Sequence, residues 1–113
     1  MACILVAGAS RGIGEAVARK LATEHQVLLL ARSEAQLEAI GKETGSQWCV
    51  ADATDADQVR KALVWCREQC GDVPDVIVNC AGIFSLSPIA EAKVSDLREA
   101  LEANVVAPFL LMR

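Results

Sequence analysis

The sequence contains no tyrosine and only one histidine, His25, among its 113 residues. A single imidazole leaves little material for a zinc or iron site, so we expect no metal centre. The net charge of -4 disfavours a surface that binds nucleic acid. The longest apolar run, residues 105–112, contains Pro108 and is too short to span a bilayer. We therefore expect neither nucleic acid nor membrane as a partner.

The N-terminal sequence lacks the basic region of a secretory signal, and its first apolar run ends within about seven residues. No C-x-x-C pair occurs among the cysteines, which number five, an odd count. These features predict reduced, mostly buried thiols in a cytoplasmic protein. Cys66 and Cys70 share a face of a predicted helix, and we expect small core residues there rather than a redox pair or part of a metal site. The full set is Cys3, Cys49, Cys66, Cys70 and Cys80.

Short apolar runs alternate with helical patterns along the whole chain, and neither a repeat nor a linker interrupts them. The runs predict strands at residues 3–7, 27–31, 47–51 and 76–79, and the first of them is expected to be buried on both faces. The helical patterns predict helices at 12–24, after Ser33, at 55–70 and at 94–112. Ile13, Val17 and Leu21 form the apolar stripe of the first helix, and Ser33 with Gln36 predicts a capping box for the second.

Strand and helix repeated in this way predict a parallel sheet with helices on both faces. Right-handed crossovers then favour the strand order 3-2-1-4. We therefore expect one α/β domain over residues 1–113, the N-terminal half of a Rossmann-like, doubly wound parallel sheet.

A glycine-rich turn, G-x-x-x-G-x-G, lies between the first predicted strand and the first helix. Glycines there permit a tight turn and a close approach of the backbone to a pyrophosphate, and the helix N-terminus supplies N–H donors. A glycine turn that serves only steric packing is the alternative, which its place after the first strand disfavours. The candidate cofactor-binding residues of the turn are Gly8, Ser10, Arg11, Gly12, Ile13 and Gly14.

The end of the second strand bears on the choice between NAD and NADP. A carboxylate there would bond the ribose 2′-hydroxyl and repel a 2′-phosphate, but this chain has Ala31 followed by Arg32 and Ser33. Arg32 can form a bidentate contact with phosphate, Ser33 can donate another bond, and Arg11 can reach it from the opposite side. Each arginine alone could be a solvated surface charge. Arginines at both positions resemble the NADP-preferring pattern, and this resemblance implies NADP rather than NAD as the cofactor.

Residues 7–14 resemble the cofactor motif of the short-chain dehydrogenase/reductase family, with Ala7 in place of the usual threonine. Three further motifs of the family match at similar spacing. They are Asp52 and Ala53 after the third predicted strand, Asn79, Ala81 and Gly82 at the end of the fourth, and Asn104 in the last predicted helix. The resemblance implies that Asp52 contacts the adenine and that Asn79 steadies the central sheet. It also implies that the main-chain carbonyl of Asn104, freed by Pro108, holds a water of a proton relay. The alternatives are that Asp52 only caps a helix and that Asn104 is a polar filler.

The resemblance implies an NADP(H)-dependent oxidoreductase that transfers hydride between the nicotinamide and a carbonyl or alcohol substrate, with a homo-oligomer as the full-length protein. The catalytic Tyr-x-x-x-Lys of the family cannot be formed without tyrosine, and Ser85, Ser87 and Ser95 come too early to be the catalytic serine. We therefore expect the cofactor-binding half of a longer reductase, in which residues 83–88 line one wall of the substrate pocket. The alternatives are a stand-alone NADP-binding module or pseudoenzyme, and an interaction protein that pairs through an exposed strand edge.

Overall fold

The computed structural model describes residues 1–83 and 87–113. Its strands are all parallel and form one sheet in the order β3-β2-β1-β4, which confirms the predicted fold class. The strands are β1 (Cys3–Ala7), β2 (Gln26–Ala31), β3 (Gln47–Val50) and β4 (Val76–Asn79). The helices are α1 (Gly12–Leu21), α2 (Glu34–Thr44), α3 (Ala56–Cys70), α4 (Val94–Leu101) and α5 (Ala107–Met112), with a 3₁₀ turn at Ile89–Glu91 and a π-helical segment at Glu102–Val106.

The core has two layers, one on each face of the sheet. Leu5 and Leu28 face the layer covered by α3 and α5, whereas Val6 and Leu29 face the layer covered by α1 and α2. All four side chains are inaccessible to solvent. Because successive strand residues point to opposite faces, a strand covered on both sides needs apolar residues throughout. This explains the uninterrupted apolar runs of β1 and β2.

The predicted order 3-2-1-4 places β3 and β4 at the edges of the sheet, and both are less buried than the central strands β1 and β2. Both are edge strands with exposed ends, and Val50 and Val76 are each 45% exposed. An edge strand has a neighbour on one side only, so flanking helices cover it less completely than they cover the central pair.

The first turn of α1 departs from the predicted apolar stripe. Ile13 is 78% exposed, while Gly14 and Ala18 are buried and Val17 packs partly against the core. The stripe that meets the sheet therefore begins one residue later than predicted. Ile13 is left on the side of the helix that faces the carboxyl ends of the strands.

The beginnings of α2 and α3 are capped differently. Ser33 occupies the N-cap position of α2, but its side chain makes no capping hydrogen bond, so the predicted capping box is wrong. In α3 the N-cap residue is Asp55, whose carboxylate accepts from the N–H groups of Asp57 and Gln58. Gly71 ends α3 in the left-handed conformation, with φ +80°.

Cys3 and Cys70 form a disulfide, so the prediction of five reduced thiols is wrong for this pair. The chain after α3 returns to the start of β1, where the Cys3 N–H donates to Asp75 Oδ2 at 2.7 Å and the Asp75 N–H donates to the Cys3 carbonyl at 2.8 Å. The Cα atoms of the two cysteines are 5.9 Å apart, within the range that a disulfide spans. Cys66 is a core residue as predicted, and burial raises the pKa of its thiol to about 12. The compartment of the protein stays a prediction.

One continuous helical rod runs from α4 through the π-helical segment into α5, where a helix over 94–112 was predicted. In the π-helical segment the Ala107 N–H donates to the Glu102 carbonyl, five residues back. This wider turn shifts the hydrogen-bond register immediately before Pro108, which has no N–H to contribute. Within residues 1–83 and 87–113, none of the helices combines the length and the apolar character needed to cross a membrane.

Candidate functional site

A cleft of about 840 Å³ lies where the carboxyl ends of β1, β2 and β3 meet the helical rod. Ligands of open parallel sheets bind at this edge, because the helices that follow the strands point their N-termini towards it. The cleft brings together most of the residues predicted to bind a cofactor, although they are far apart in the sequence. Those that line it are Gly8, Arg11, Gly12, Ile13, Gly14, Arg32, Asp52, Ala53, Ala81 and Gly82.

The glycines of the turn after β1 differ in the reason they are needed. Gly8 has φ +75°, and a Cβ there would lie 2.5 Å from the Ala81 nitrogen. A Cβ on Gly14 would lie 1.9 Å from the Gly8 carbonyl oxygen. Gly12 has φ +59°, and a Cβ there would meet no atom within 4 Å. Packing thus accounts for Gly8 and Gly14, whereas Gly12 leaves its backbone open towards the cleft.

The N-terminus of α1 presents N–H groups to the cleft. The side chain of its N-cap residue, Arg11, makes no capping hydrogen bond, and Gly12, Ile13 and Gly14 of the first turn line the cleft. The corresponding groups of α3 are capped by the Asp55 carboxylate. An uncapped helix N-terminus combines unpaired N–H donors with the positive end of the helix dipole. Together with the exposed Arg11 guanidinium, this end of the cleft suits a phosphate group.

The ends of β2 and β3 place opposite charges side by side. Arg32 follows β2, Asp52 follows β3, and the Ala51 N–H donates to the Ala31 carbonyl at 3.0 Å between the two strands. Hydrogen bonds from the N–H and O–H groups of Thr54, aided by the charge of Arg32, hold the pKa of the Asp52 carboxyl below its ordinary value of 3.8. Within the described residues, Arg32 is part of no ion pair. Its guanidinium is therefore available to a second anion in the cleft.

Four predicted site residues are not among the described residues that line the cleft: Ser10, Ser33, Asn79 and Asn104. Asn79 Oδ1 accepts from the Ala81 N–H at 3.1 Å and so holds the turn after β4. Asn104 Oδ1 accepts from the Ile83 N–H, and its Nδ2 donates to the Ile83 carbonyl, both at 2.9 Å. The Asn104 side chain thus ties the π-helical segment to the chain after β4.

The prediction missed Thr54 and the helical residues of the cleft, namely Arg98, Glu99, Glu102 and Ala103. Thr54 could have been found from its spacing, because an Asp often accepts from the N–H two residues later. The helical residues could not, because their orientation depends on how α4 crosses the sheet. Of the predicted substrate wall, Ile83 lines the cleft, whereas residues 84–86 lie outside the described residues.

A doubly wound parallel sheet with a glycine-rich turn at its carboxyl edge is typical of dinucleotide-binding proteins. A sequence profile described as "short chain dehydrogenase" matches residues 2–113. The chain belongs to this family of oxidoreductases, as the resemblance predicted.

Curated relatives include 3-oxoacyl-(acyl-carrier-protein) reductase FabG of Escherichia coli K12, which is 33% identical over 112 residues. Serine 3-dehydrogenase of Agrobacterium fabrum is 31% identical over 106 residues. These alignments cover 96% and 90% of this chain but only 46% and 42% of the relatives. The chain therefore spans less than half the length of these relatives.

Solved structures of the family superpose closely on the chain. A variant of actinorhodin polyketide ketoreductase with NADPH is 28% identical, with a TM-score of 0.92 over 98% of this chain and 44% of that one. A metagenomic short-chain oxidoreductase in complex with NADP is 31% identical, with a TM-score of 0.89 over 99% of this chain and 53% of that one. Both similarities cover nearly all of this chain.

Proposed function

We propose that the cleft binds NADP(H) and that this chain supplies the cofactor-binding part of a hydride-transfer enzyme. The observation that carries the proposal is the convergence of the uncapped α1 N-terminus, Arg32 and Asp52 on one cleft. Each of these groups matches a different part of the nucleotide. If the glycine turn served only packing, there would be no reason for Arg32 and Asp52 to lie in the same cleft.

The pyrophosphate would lie against the glycine turn. The space beside Gly12 admits a ligand close to the backbone, and the N–H groups of the first turn of α1 would donate to its oxygens. The close packing of Gly8 against Ala81 holds the turn in place. This packing fixes the side of the site that would receive the phosphates.

The 2′-phosphate would lie beside Arg32. Neither Ala31, which ends β2, nor Arg32 after it carries a carboxylate that would repel the phosphate, and the Arg32 guanidinium offers the paired N–H groups that bind phosphate oxygens. Arg11, exposed at the start of α1, lines the same cleft and adds a second positive charge. The Ser33 hydroxyl, which caps no helix, is another donor next to Arg32. NADP-bound and NADPH-bound relatives of similar structure support this assignment.

The bound cofactor would supply or accept hydride at its nicotinamide ring, with a carbonyl or alcohol as the substrate. Asp52 would orient the adenine, and the segment 80–83 would lie beside the ribose of the nicotinamide half. The tie between Asn104 and Ile83 would keep the main-chain carbonyl of Asn104 near the reacting end. The substrate-binding part, the homo-oligomer and the cytoplasmic location remain predictions.

The absence of tyrosine favours a second candidate, a nucleotide-binding module without catalysis. Both candidates require the same cleft and the same cofactor. They differ in whether a Tyr-Lys pair is supplied from outside the 113 residues, and a carbonyl-dependent oxidation of NADPH by the natural protein would distinguish them.

The cofactor proposal is tested by the substitution Arg32→Asp. If Arg32 binds the 2′-phosphate, the Kd for NADPH should rise by more than about tenfold while the Kd for NADH is unchanged or falls. The matched control is Arg67→Asp, which makes the same charge change on exposed α3 surface away from the cleft. Isothermal titration with both nucleotides measures the two constants. Equal loss for both nucleotides, or no loss, contradicts the assignment of Arg32.

A further inference from the structure

Asp52 is held by hydrogen bonds at almost every polar atom. Its N–H donates to Gln58 Oε1 at 2.8 Å, and its carbonyl accepts from the Asp55 N–H at 3.1 Å. Its Oδ1 accepts from the Thr54 N–H at 2.9 Å and from the Thr54 hydroxyl at 2.7 Å. Within the described residues, Oδ2 has no hydrogen-bond partner. The carboxylate thus has one oxygen saturated from inside the chain and one left over.

The two bonds from Thr54 reach the same oxygen, and this restricts rotation of the carboxylate. A single donor would let the group turn and exchange its oxygens, since an ionised carboxylate has two equivalent acceptors. Two donors from one residue hold Oδ1 towards Thr54, so Oδ2 is the oxygen that remains for a ligand. Both residues line the cleft.

We propose that Thr54 is a positioning residue that turns Asp52 Oδ2 towards the exocyclic amine of the cofactor's adenine and so sets the preference for that base. This inference rests on the proposed NADP(H) site. Adenine presents N–H donors at this position, whereas a hypoxanthine ring presents an oxo group that repels a carboxylate. A carboxylate free to rotate would bind either base with less discrimination.

The test compares NADPH with reduced nicotinamide hypoxanthine dinucleotide phosphate, which differs from NADPH only in the base. Their Kd values are measured by titration for the wild type, Thr54→Val and the matched control Thr54→Ser. Valine keeps the branched shape and removes the hydroxyl, whereas serine keeps the hydroxyl and removes the methyl group. We expect the wild type to prefer NADPH by about tenfold, and Thr54→Val to reduce that ratio by about fivefold. Thr54→Ser should keep the ratio within about twofold.

The ratio separates positioning from a merely structural role, because a loss of folded protein weakens both nucleotides equally. Asp52→Ala should abolish the preference for adenine. If the wild type shows that preference and Thr54→Val retains it, or if Thr54→Ser loses it as well, the role of the Thr54 hydroxyl is overturned while the NADP(H) site stands. If the wild type binds neither nucleotide, the proposed function itself fails.

Discussion

The two walls of the cleft are supported very differently. The strand wall consists of Gly8 and residues 11–14 of the glycine turn, Arg32 and residues 51–54, and it rises from β1 and β2, whose central residues are fully buried. The helix wall consists of Arg98, Glu99, Glu102 and Ala103. It belongs to α4 and the π-helical segment, neither of which contains a buried residue.

This difference is visible in the apolar side chains of each region. Leu28 and Leu29 of β2 are inaccessible to solvent, whereas Leu97 of α4 is 60% exposed and Val105 of the π-helical segment is 58% exposed. The rod is anchored mainly through α5, where Leu110 and Leu111 enter the core. The strand wall is therefore well supported by the core, whereas the helix wall opposite it is weakly supported. Substitutions in each wall, and in the structure that supports it, should therefore differ in their effects on the free energy of unfolding and on nucleotide binding.

The disulfide should have the largest effect, because it joins β1 under the strand wall to the end of α3. The cysteines are 67 positions apart, and closing a loop of that length stabilises a fold by about 4 kcal/mol. Reduction should lower the free energy of unfolding by roughly that amount, which is measured by urea unfolding with and without dithiothreitol. The double variant Cys3→Ser/Cys70→Ser is the control, since reductant should not change its midpoint. An identical midpoint for the oxidised and reduced wild type would contradict the prediction.

Matched leucine truncations should separate the two regions directly. Leu29→Ala removes a fully buried side chain beneath the strand wall and should lower the free energy of unfolding by about 2–5 kcal/mol. Leu97→Ala removes an exposed side chain from α4 and should change it by no more than about 0.5 kcal/mol. Chemical denaturation of both variants measures the difference. Similar losses for the two would mean that α4 is as well packed as β2.

A pair of glycine substitutions tests whether the strand wall depends on close packing. Gly8 and Gly45 both have positive φ, +75° and +72°, so alanine at either position strains the backbone by about 1 kcal/mol. Only at Gly8 does the added Cβ meet backbone, the nitrogen of Ala81 at 2.5 Å. Gly8→Ala should therefore raise the Kd for NADPH by about tenfold or more, whereas Gly45→Ala should leave it unchanged. Equal Kd values in a titration of both variants would show that the turn tolerates a side chain.

The smallest expected effect concerns the pKa of Asp52. Because the folded-state pKa is lowered, the stabilisation from the bonds with Thr54 is complete above pH 3.8 and is lost as the pH falls through the lowered pKa. Thr54→Val should raise this pKa towards its ordinary value, and Thr54→Ser should not. Carbon-detected NMR titration of the Asp52 carboxyl measures the change. An unchanged pKa in Thr54→Val would show that the hydroxyl does not stabilise the carboxylate.

Much of the strand wall was predictable because its signals are local. Apolar runs located the strands, the spacing of the glycines located the turn, and the residues after β2 and β3 pointed to Arg32 and Asp52. The exposure of Ile13 was not predictable, because periodicity cannot show which side of a first turn meets the sheet. Pairing of Cys3 with Cys70 depends on where α3 ends relative to β1, which no local pattern contains. The residues of the helix wall were not predictable either, because the angle at which α4 crosses the sheet decides which of its residues face the cleft.

The contrast between the walls leads us to propose that this chain holds NADP(H) mainly by its adenosine half, on the strand wall. Titration with adenosine 2′,5′-bisphosphate and with nicotinamide mononucleotide tests this proposal, because each is one half of the cofactor. We expect the bisphosphate to bind, to compete with NADPH and to bind at least about tenfold more tightly than the mononucleotide, through its contacts with Arg32 and Asp52. Equal binding of the two halves, or tighter binding of the mononucleotide, would contradict the proposal.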